Sequence, residues 1–187
     1  MRKTNRQYRA FNSSLEIREE QEEMIIQGYF AVFNTETKLY GSVYESIDEK
    51  AFDNSIGGDV RALIDHDTAK VLGRTKAGTL ELKADKKGLF GTIKINPKDT
   101  EAVNLYERVK RGDVNQCSFG FVITDESAEY GEDGTTHFVI KDLVLFEVSI
   151  CTFPAYEDTA VEARRKQVEE HNIERWKKIT KERLKCH

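Results

Sequence analysis

The chain has 187 residues, of which 33% are charged and 39% hydrophobic, with two prolines and a formal net charge of −4. That length supports a domain with a real core, and the composition excludes a collagenous, mucin-like or wholly disordered chain. The basic residues are not gathered into one block interleaved with aromatics, which argues against a specific nucleic-acid reader, and no window approaches the roughly 18 apolar residues of a membrane span. Arg2, Lys3, Arg6 and Arg9 are followed by no apolar stretch of the kind a secretory signal carries, so secretion is not expected. Cys117, Cys151 and Cys186 are odd in number and lack metal-ligand spacing, which predicts a reducing compartment with no disulfide framework and no structural metal.

In chain order, the polar and basic residues 1–14 are expected to form a flexible arm. LEIREE and MIIQGYFAVF read as two paired strands, with Gly28 marking a bulge or a close backbone approach. LYGSVYESI is a further strand. In DEKAFDNSIGG, Asp48 is placed to cap a short helix that buries Ala51, Phe52 and Ile56 and that Gly57 and Gly58 stop. VRALI, AKVLGRT, GTLELKAD and GLFGTIKI then predict a meander of short strands. NPKDTEAVNLYERVKRGD predicts an amphipathic helix that starts at Asp99 or Thr100, carries Val103, Tyr106 and Val109 at helical spacing, and ends before Gly112. NQCSFGFVIT and HFVIKDLVLFEVSICTF are two long strands joined by the acidic loop ESAEYGEDGTT, the second of them ended by Pro154.

From Glu157 onward the chain has no glycine or proline. Val161, Val168, Ile173, Trp176, Ile179 and Leu184 make only a narrow, irregular apolar stripe, which predicts a solvated helix over 157–187 rather than a docking helix. The expected architecture is therefore an α+β domain over 15–156, with a closed or nearly closed β-barrel-like sheet and flanking helices, followed by a charged C-terminal helical tail.

Three residues could carry chemistry. His66, in ALIDHDTAKVLGRT, sits between Asp65 and Asp67 where the chain leaves a strand; a histidine in such a turn is either a hydrogen-bonding surface residue or a general base favoured by a carboxylate. Ser118, in NQCSFGF, stands among apolar residues at the start of a strand. It is either a core serine bonded to backbone or a nucleophile, with Gly120 leaving room for substrate backbone. Gln116 occupies the position of the first glycine in a G-x-S-x-G elbow, so that mechanism does not apply. Cys117 is the rival nucleophile, but adjacent side chains of a strand point to opposite faces, so Cys117 and Ser118 cannot both meet His66. Glu147, in LVLFEVSICTF, is a carboxylate inside an apolar strand; it lies either on a solvent face or beside His66 as the third member of a triad.

Taken together, GYFAVFN, VYESIDEKAFDNSI, VRALIDHDTAKVLGRT, QCSFGFVI and LFEVSICTFPAY resemble, in order and spacing, the prohead proteases of tailed bacteriophages over about Gly28 to Tyr156. The family is distantly similar to the herpesvirus maturation protease, assemblin. The resemblance implies a herpesvirus-protease-like fold, Ser118 as nucleophile and His66 as general base. It implies no cofactor and no metal. The third group is Glu147, with His137 as the alternative. It also implies an endopeptidase enclosed in the immature capsid in the host cytoplasm, whose partners are the major capsid protein with its scaffolding segment, and other copies of itself for autocleavage or oligomer formation. Competing expectations are a catalytically silent capsid assembly factor with the same fold, a metal hydrolase on Asp65, His66 and Asp67, and a cysteine protease using Cys117.

Overall fold

The computed structural model describes residues 6–12, 15–20, 23–153 and 158–185, so Arg2, Lys3, Pro154, Tyr156, Cys186 and His187 lie outside the described residues. The chain separates into two compact units, residues 1–156 and residues 157–187. In the first unit the described strands are β1 (Gln7–Asn12), β2 (Glu16–Glu20), β3 (Glu23–Val32), β4 (Thr37–Tyr40), β5 (Val43–Ile47), β6 (Arg61–Ile64), β7 (Asp67–Arg74), β8 (Leu80–Ala84) and β9 (Gly88–Ile95). Helix α1 (Thr100–Arg111) follows, and then strands β10 (Gln116–Tyr130) and β11 (Thr136–Cys151).

The strands form two sheets: a seven-stranded one in the order β1-β10-β11-β5-β4, with β6 also on β11 and β7 on β6, and a four-stranded one in the order β2-β3-β9-β8. The mixed α+β class is as expected. The closed barrel is not, because no pairing among the described strands joins the two ends of either sheet. Between the sheets lies one core, contributed by Ile26 and Phe30 of β3, Leu89 and Ile93 of β9, Phe119 and Phe121 of β10, Val148 and Ile150 of β11, and Leu105, Tyr106 and Val109 of α1. Each such large apolar side chain contributes about 1.5–3 kcal/mol when fully buried.

Strand β11 organises the larger sheet. One edge runs antiparallel to β10; the other is parallel to β5 over Thr136–Ile140 and parallel to β6 over Glu147–Ile150. Residues 48–59 fill the gap between those two partners. Ser55 serves the edge left without a strand there, donating from Oγ to Leu143 O and accepting from Leu145 N at 3.2 Å, so these buried backbone groups are satisfied by a side chain in place of a strand. The expected helix in this segment is a run of turns. Asp48 does cap it, accepting from Lys50 N at 2.9 Å, and Ala51 and Phe52 are buried, but the backbone bonds have three-residue spacing except that of Ile56 N to Phe52 O and build no regular helix.

Other departures have physical causes. LYGSVYESI is a hairpin, β4–β5, because Gly41 adopts a left-handed φ of 48° and reverses the chain. The expected meander is divided, with β6–β7 in one sheet and β8–β9 in the other. Part of the expected arm is strand β1: Arg9 is polar yet buried, since its guanidinium binds Glu45 through Nε–Oε1 at 2.5 Å and Nη2–Oε2 at 2.9 Å, and Ala10 is buried beside it. Helix α1 is as expected. Asp99 accepts from Glu101 N at 3.0 Å and Ala102 N at 3.2 Å, a cap of the kind that contributes about 1 kcal/mol, and Gly112 closes the helix at φ 87°.

The second unit is helix α2 (Asp158–Lys185), on which Ile173, Trp176 and Ile179 are exposed. No helix among the described residues is long and apolar enough to cross a membrane.

Candidate active site

The site is built on the β10–β11 ladder. Ser118 lies opposite Ser149, and Gly120 lies opposite Glu147. Directly opposed residues of an antiparallel pair share a face, so Ser118, Gly120, Glu147, Ser149 and Cys151 line the face turned away from the core. Cys117, Phe119, Phe121, Val148 and Ile150 take the core side. A register irregularity follows immediately: Phe121 pairs with Leu145, so Phe146 is skipped. Such a bulge changes the parity of the strand, which is why Leu143 and Leu145 point into the core while Glu147, also an odd-numbered position, does not.

His66 is delivered by the turn between β6 and β7. Asp65 and His66 have φ of 47° and 60°, the two left-handed residues that a two-residue hairpin turn requires and that most side chains resist at a cost of order 1–3 kcal/mol each. Bonds to β11 and its continuation hold them. Asp65 N donates to Ile150 O at 3.0 Å, the Asp65 carboxylate accepts from Thr152 N at 2.8 Å and Thr152 Oγ1 at 3.3 Å, and His66 N donates to Ser149 Oγ at 3.3 Å.

The imidazole then lies against two side chains of β11 and one of β1. Nδ1 is 2.6 Å from Glu147 Oε1, Nε2 is 3.7 Å from Cys151 Sγ, and the Tyr8 ring meets the imidazole edge-on with centroids 4.5 Å apart. An ionised carboxylate only accepts, so the pairing puts the proton on Nδ1 and makes Nε2 the acceptor nitrogen of the ring. Glu147 is only 8% exposed, and its second oxygen, Oε2, accepts from Ser149 Oγ at 2.6 Å. Both oxygens of this buried carboxylate are therefore bonded, as burial of a charge demands. Burial, then the charges of Asp65 and Glu147, push the Cys151 thiol up to about 12. It stays protonated and serves as a weak donor toward Nε2.

Ser118 is fully buried on the same face, and its Oγ donates to Arg9 O of β1 at 2.9 Å. The structure thus brings His66 and Glu147 into direct contact and sets Ser118 on their face, with its hydroxyl turned toward the neighbouring strand. His137 is elsewhere. It contacts Glu36 Oε1 at 2.6 Å and stacks on Tyr44, at the far end of β11, about 33 Å along the strand from Glu147 at roughly 3.3 Å per residue. Cys117 faces the core. The Asp67 carboxylate is turned to its own turn, accepting from Ala69 N at 2.9 Å, so the three consecutive residues Asp65, His66 and Asp67 do not converge.

Three residues of the site were not singled out from the sequence. Ser149 and Cys151 carried a usable signal, since they follow Glu147 at i+2 and i+4 on one strand and so must share its face. Tyr8 carried none, because it reaches the imidazole only through the pairing of β1 with β10.

The two-sheet α+β domain thus carries a histidine–carboxylate pair and a buried serine on one face of the larger sheet. The family model for the Caudovirus prohead serine protease matches residues 13–174, and the chain belongs to that family. It is 30% identical over 116 residues to the prohead protease of Escherichia phage T5, covering 62% of this chain and 50% of the relative. To the prohead protease of Enterobacteria phage HK97 it is 28% identical over 144 residues, covering 74% and 59%. The chain thus spans between half and three fifths of the length of these curated relatives. Its fold is similar to that of the bacteriophage T4 capsid assembly protease, with a TM-score of 0.54 and 9% identity over 78% of this chain and 96% of that one.

Proposed function

We propose that the chain is a serine endopeptidase of phage prohead maturation, with Ser118 as nucleophile, His66 as general base and Glu147 as the group that orients and stabilises the imidazole. The observation that carries this reading is the 2.6 Å contact between His66 Nδ1 and Glu147 Oε1 on the strand face that also bears Ser118. The Ser118 hydroxyl turns from Arg9 O toward His66 Nε2, and Oγ attacks the carbonyl carbon of the scissile peptide while its proton passes to Nε2. The imidazolium that forms keeps its Nδ1–H and donates it to Glu147 Oε1. Collapse of the tetrahedral adduct breaks the C–N bond, Nε2 returns the proton to the leaving amine, and water then hydrolyses the acyl-enzyme by the same relay in reverse. General base catalysis of this kind is worth about 10²–10⁴-fold.

The proposed substrates are the scaffolding portion of the major capsid protein and, after that, other copies of the protease, inside the immature capsid in the host cytoplasm. Family membership and the names of the T5, HK97 and T4 relatives support this assignment. The test is co-expression with the major capsid protein of the same phage, with capsid protein mass as the readout. Shortening by wild type, absent with a folded Ser118→Ala, is expected. Shortening that persists in Ser118→Ala and disappears in Cys151→Ser or Cys117→Ala would move the nucleophile to a thiol. An unchanged capsid protein with wild type would point to a silent assembly factor.

A further inference from the structure

Resting on the reading of Ser118, His66 and Glu147 as the catalytic set, we propose that Ser149 is the positioning residue of the site, one hydroxyl that fixes the histidine and the carboxylate together. Ser149 has no exposed surface and no partner among apolar neighbours, so its hydroxyl must be satisfied by hydrogen bonds. A hydroxyl has one proton and two lone pairs. The proton goes to Glu147 Oε2 at 2.6 Å, and a lone pair accepts from the backbone N–H of His66 at 3.3 Å.

Each bond removes one way in which the pair could be lost. The terminal torsion of a glutamate is broad and roughly two-fold, so a carboxylate held by one oxygen is free to swing; with Oε2 tied to Ser149, Oε1 is kept on Nδ1 of His66. The second bond acts on the backbone. His66 sits at φ 60°, a conformation that persists only where neighbours over-determine it, and the Ser149 hydroxyl is the side-chain restraint that reaches its amide directly. Geometry along β11 makes this economical: Glu147, Ser149 and Cys151 share one face, the imidazole meets the first and last of them, and the His66 backbone N–H meets the middle one. Ser149 also lies opposite Ser118 in the ladder, so the nucleophile, the base and the acid are all referenced to one strand position. Ser149 touches no reacting atom in this scheme. It acts through His66 and Glu147.

The experiment measures phosphonylation of Ser118 by an alkyl fluorophosphonate probe, with loss of fluoride, on the full chain, separating the maximal inactivation rate from probe affinity, together with the downfield proton resonance of His66 Nδ1–H and the melting temperature. For Ser149→Ala the expected result is a maximal rate lower by about 10²-fold with affinity unchanged, and a shifted or lost Nδ1–H resonance. Ser149→Thr, which restores the hydroxyl, is expected to regain most of the rate. If Ser149→Ala does not fold, Ser149→Cys decides, since it keeps the volume but donates weakly; a rate loss with native melting supports the proposal. A folded Ser149→Ala or Ser149→Cys that reacts within about threefold of wild type, with the imidazole resonance unmoved, overturns it. Wild type that is not labelled at Ser118 at all is a different failure, sinking the catalytic assignment beneath it.

Discussion

Gly120 stands directly opposite Glu147, and a Cβ on Gly120 would come within 2.5 Å of Glu147 Oε1 and 2.9 Å of Cε1 of Tyr8. The oxygen at risk is the one that holds His66 Nδ1. A glycine is needed here for the space its missing side chain leaves. Gly120→Ala is therefore expected to push the carboxylate off the imidazole and reduce activity by at least about tenfold, with an overpacking cost of about 1–3 kcal/mol. Cleavage kinetics alongside urea denaturation check this; an active, equally stable Gly120→Ala variant would show that Glu147 has another place to go.

Thiol chemistry provides an independent check on the nucleophile. With its pKa pushed up to about 12, Cys151 is thiolate in roughly one molecule in 10⁴ at pH 8, and Cys117 is buried on the core side of the sheet. Neither is expected to react with iodoacetamide in the folded protein, and Cys151→Ser should retain most of the cleavage rate. Peptide mapping after alkylation reads each cysteine separately. Rapid labelling of Cys151 at pH 8 would mean that His66 activates sulfur there.

Much of this site was legible in the sequence, and the parts that were not share a cause. His66, Ser118 and Glu147 stood out because each is a polar residue where local pattern favours an apolar or solvent-facing one. Whether Glu147 meets His66 was not legible, since strict alternation from Leu143 and Leu145 would send it into the core; the bulge that skips Phe146 reverses that, and nothing local in LVLFEVSI announces it. Strand β1 was hidden for a similar reason. Its basic composition reads as solvated until Glu45, 36 positions away, turns out to bind Arg9. The parallel pairing of β5 and β6 with β11 is likewise a property of distant segments, and without it the short strands looked like a meander or a barrel.

Arg9 and Glu45 form a buried pair, with side chains 6% and 3% exposed. Removing the guanidinium in Arg9→Met leaves the Glu45 carboxylate buried without its counter-charge, for which about 3–5 kcal/mol of destabilisation is expected. The double variant Arg9→Met/Glu45→Leu should recover a large share of that loss, as replacing a buried pair by packed apolar groups often does. Urea midpoints of the three proteins test it, and additive losses in the double variant would contradict it.

Asp59 gives the fold a pH response away from the site. Hydrogen bonds from Arg74, Nε to Oδ1 at 2.7 Å and Nη2 to Oδ2 at 2.6 Å, together with the nearby charge of Arg61, lower its pKa to about 2. The unfolded chain takes up this proton near pH 3.9, so between about pH 4 and pH 2 the unfolded state binds more protons and the contribution of Asp59 to stability is lost as pH falls. Melting temperatures of wild type and Asp59→Asn, followed from pH 6 to pH 2, are expected to converge at the acid end. Parallel curves over that range would remove Asp59 from the account.

The 81 positions that separate His66 from Glu147 also set a clock for synthesis. A ribosome adds about 5–20 residues per second, so roughly 4–16 s pass between the emergence of the histidine and that of its carboxylate, and Ser118 arrives within the same interval. Until β11 is complete, β6 has no strand to pair with in parallel and the left-handed turn bearing His66 has nothing to bolt it down. A nascent chain therefore carries His66, Ser118 and Glu147 in separate pieces, with none of their contacts assembled. Non-local strand pairing of this kind is slow, so contact between His66 and Glu147 is expected to form only after both segments have been made.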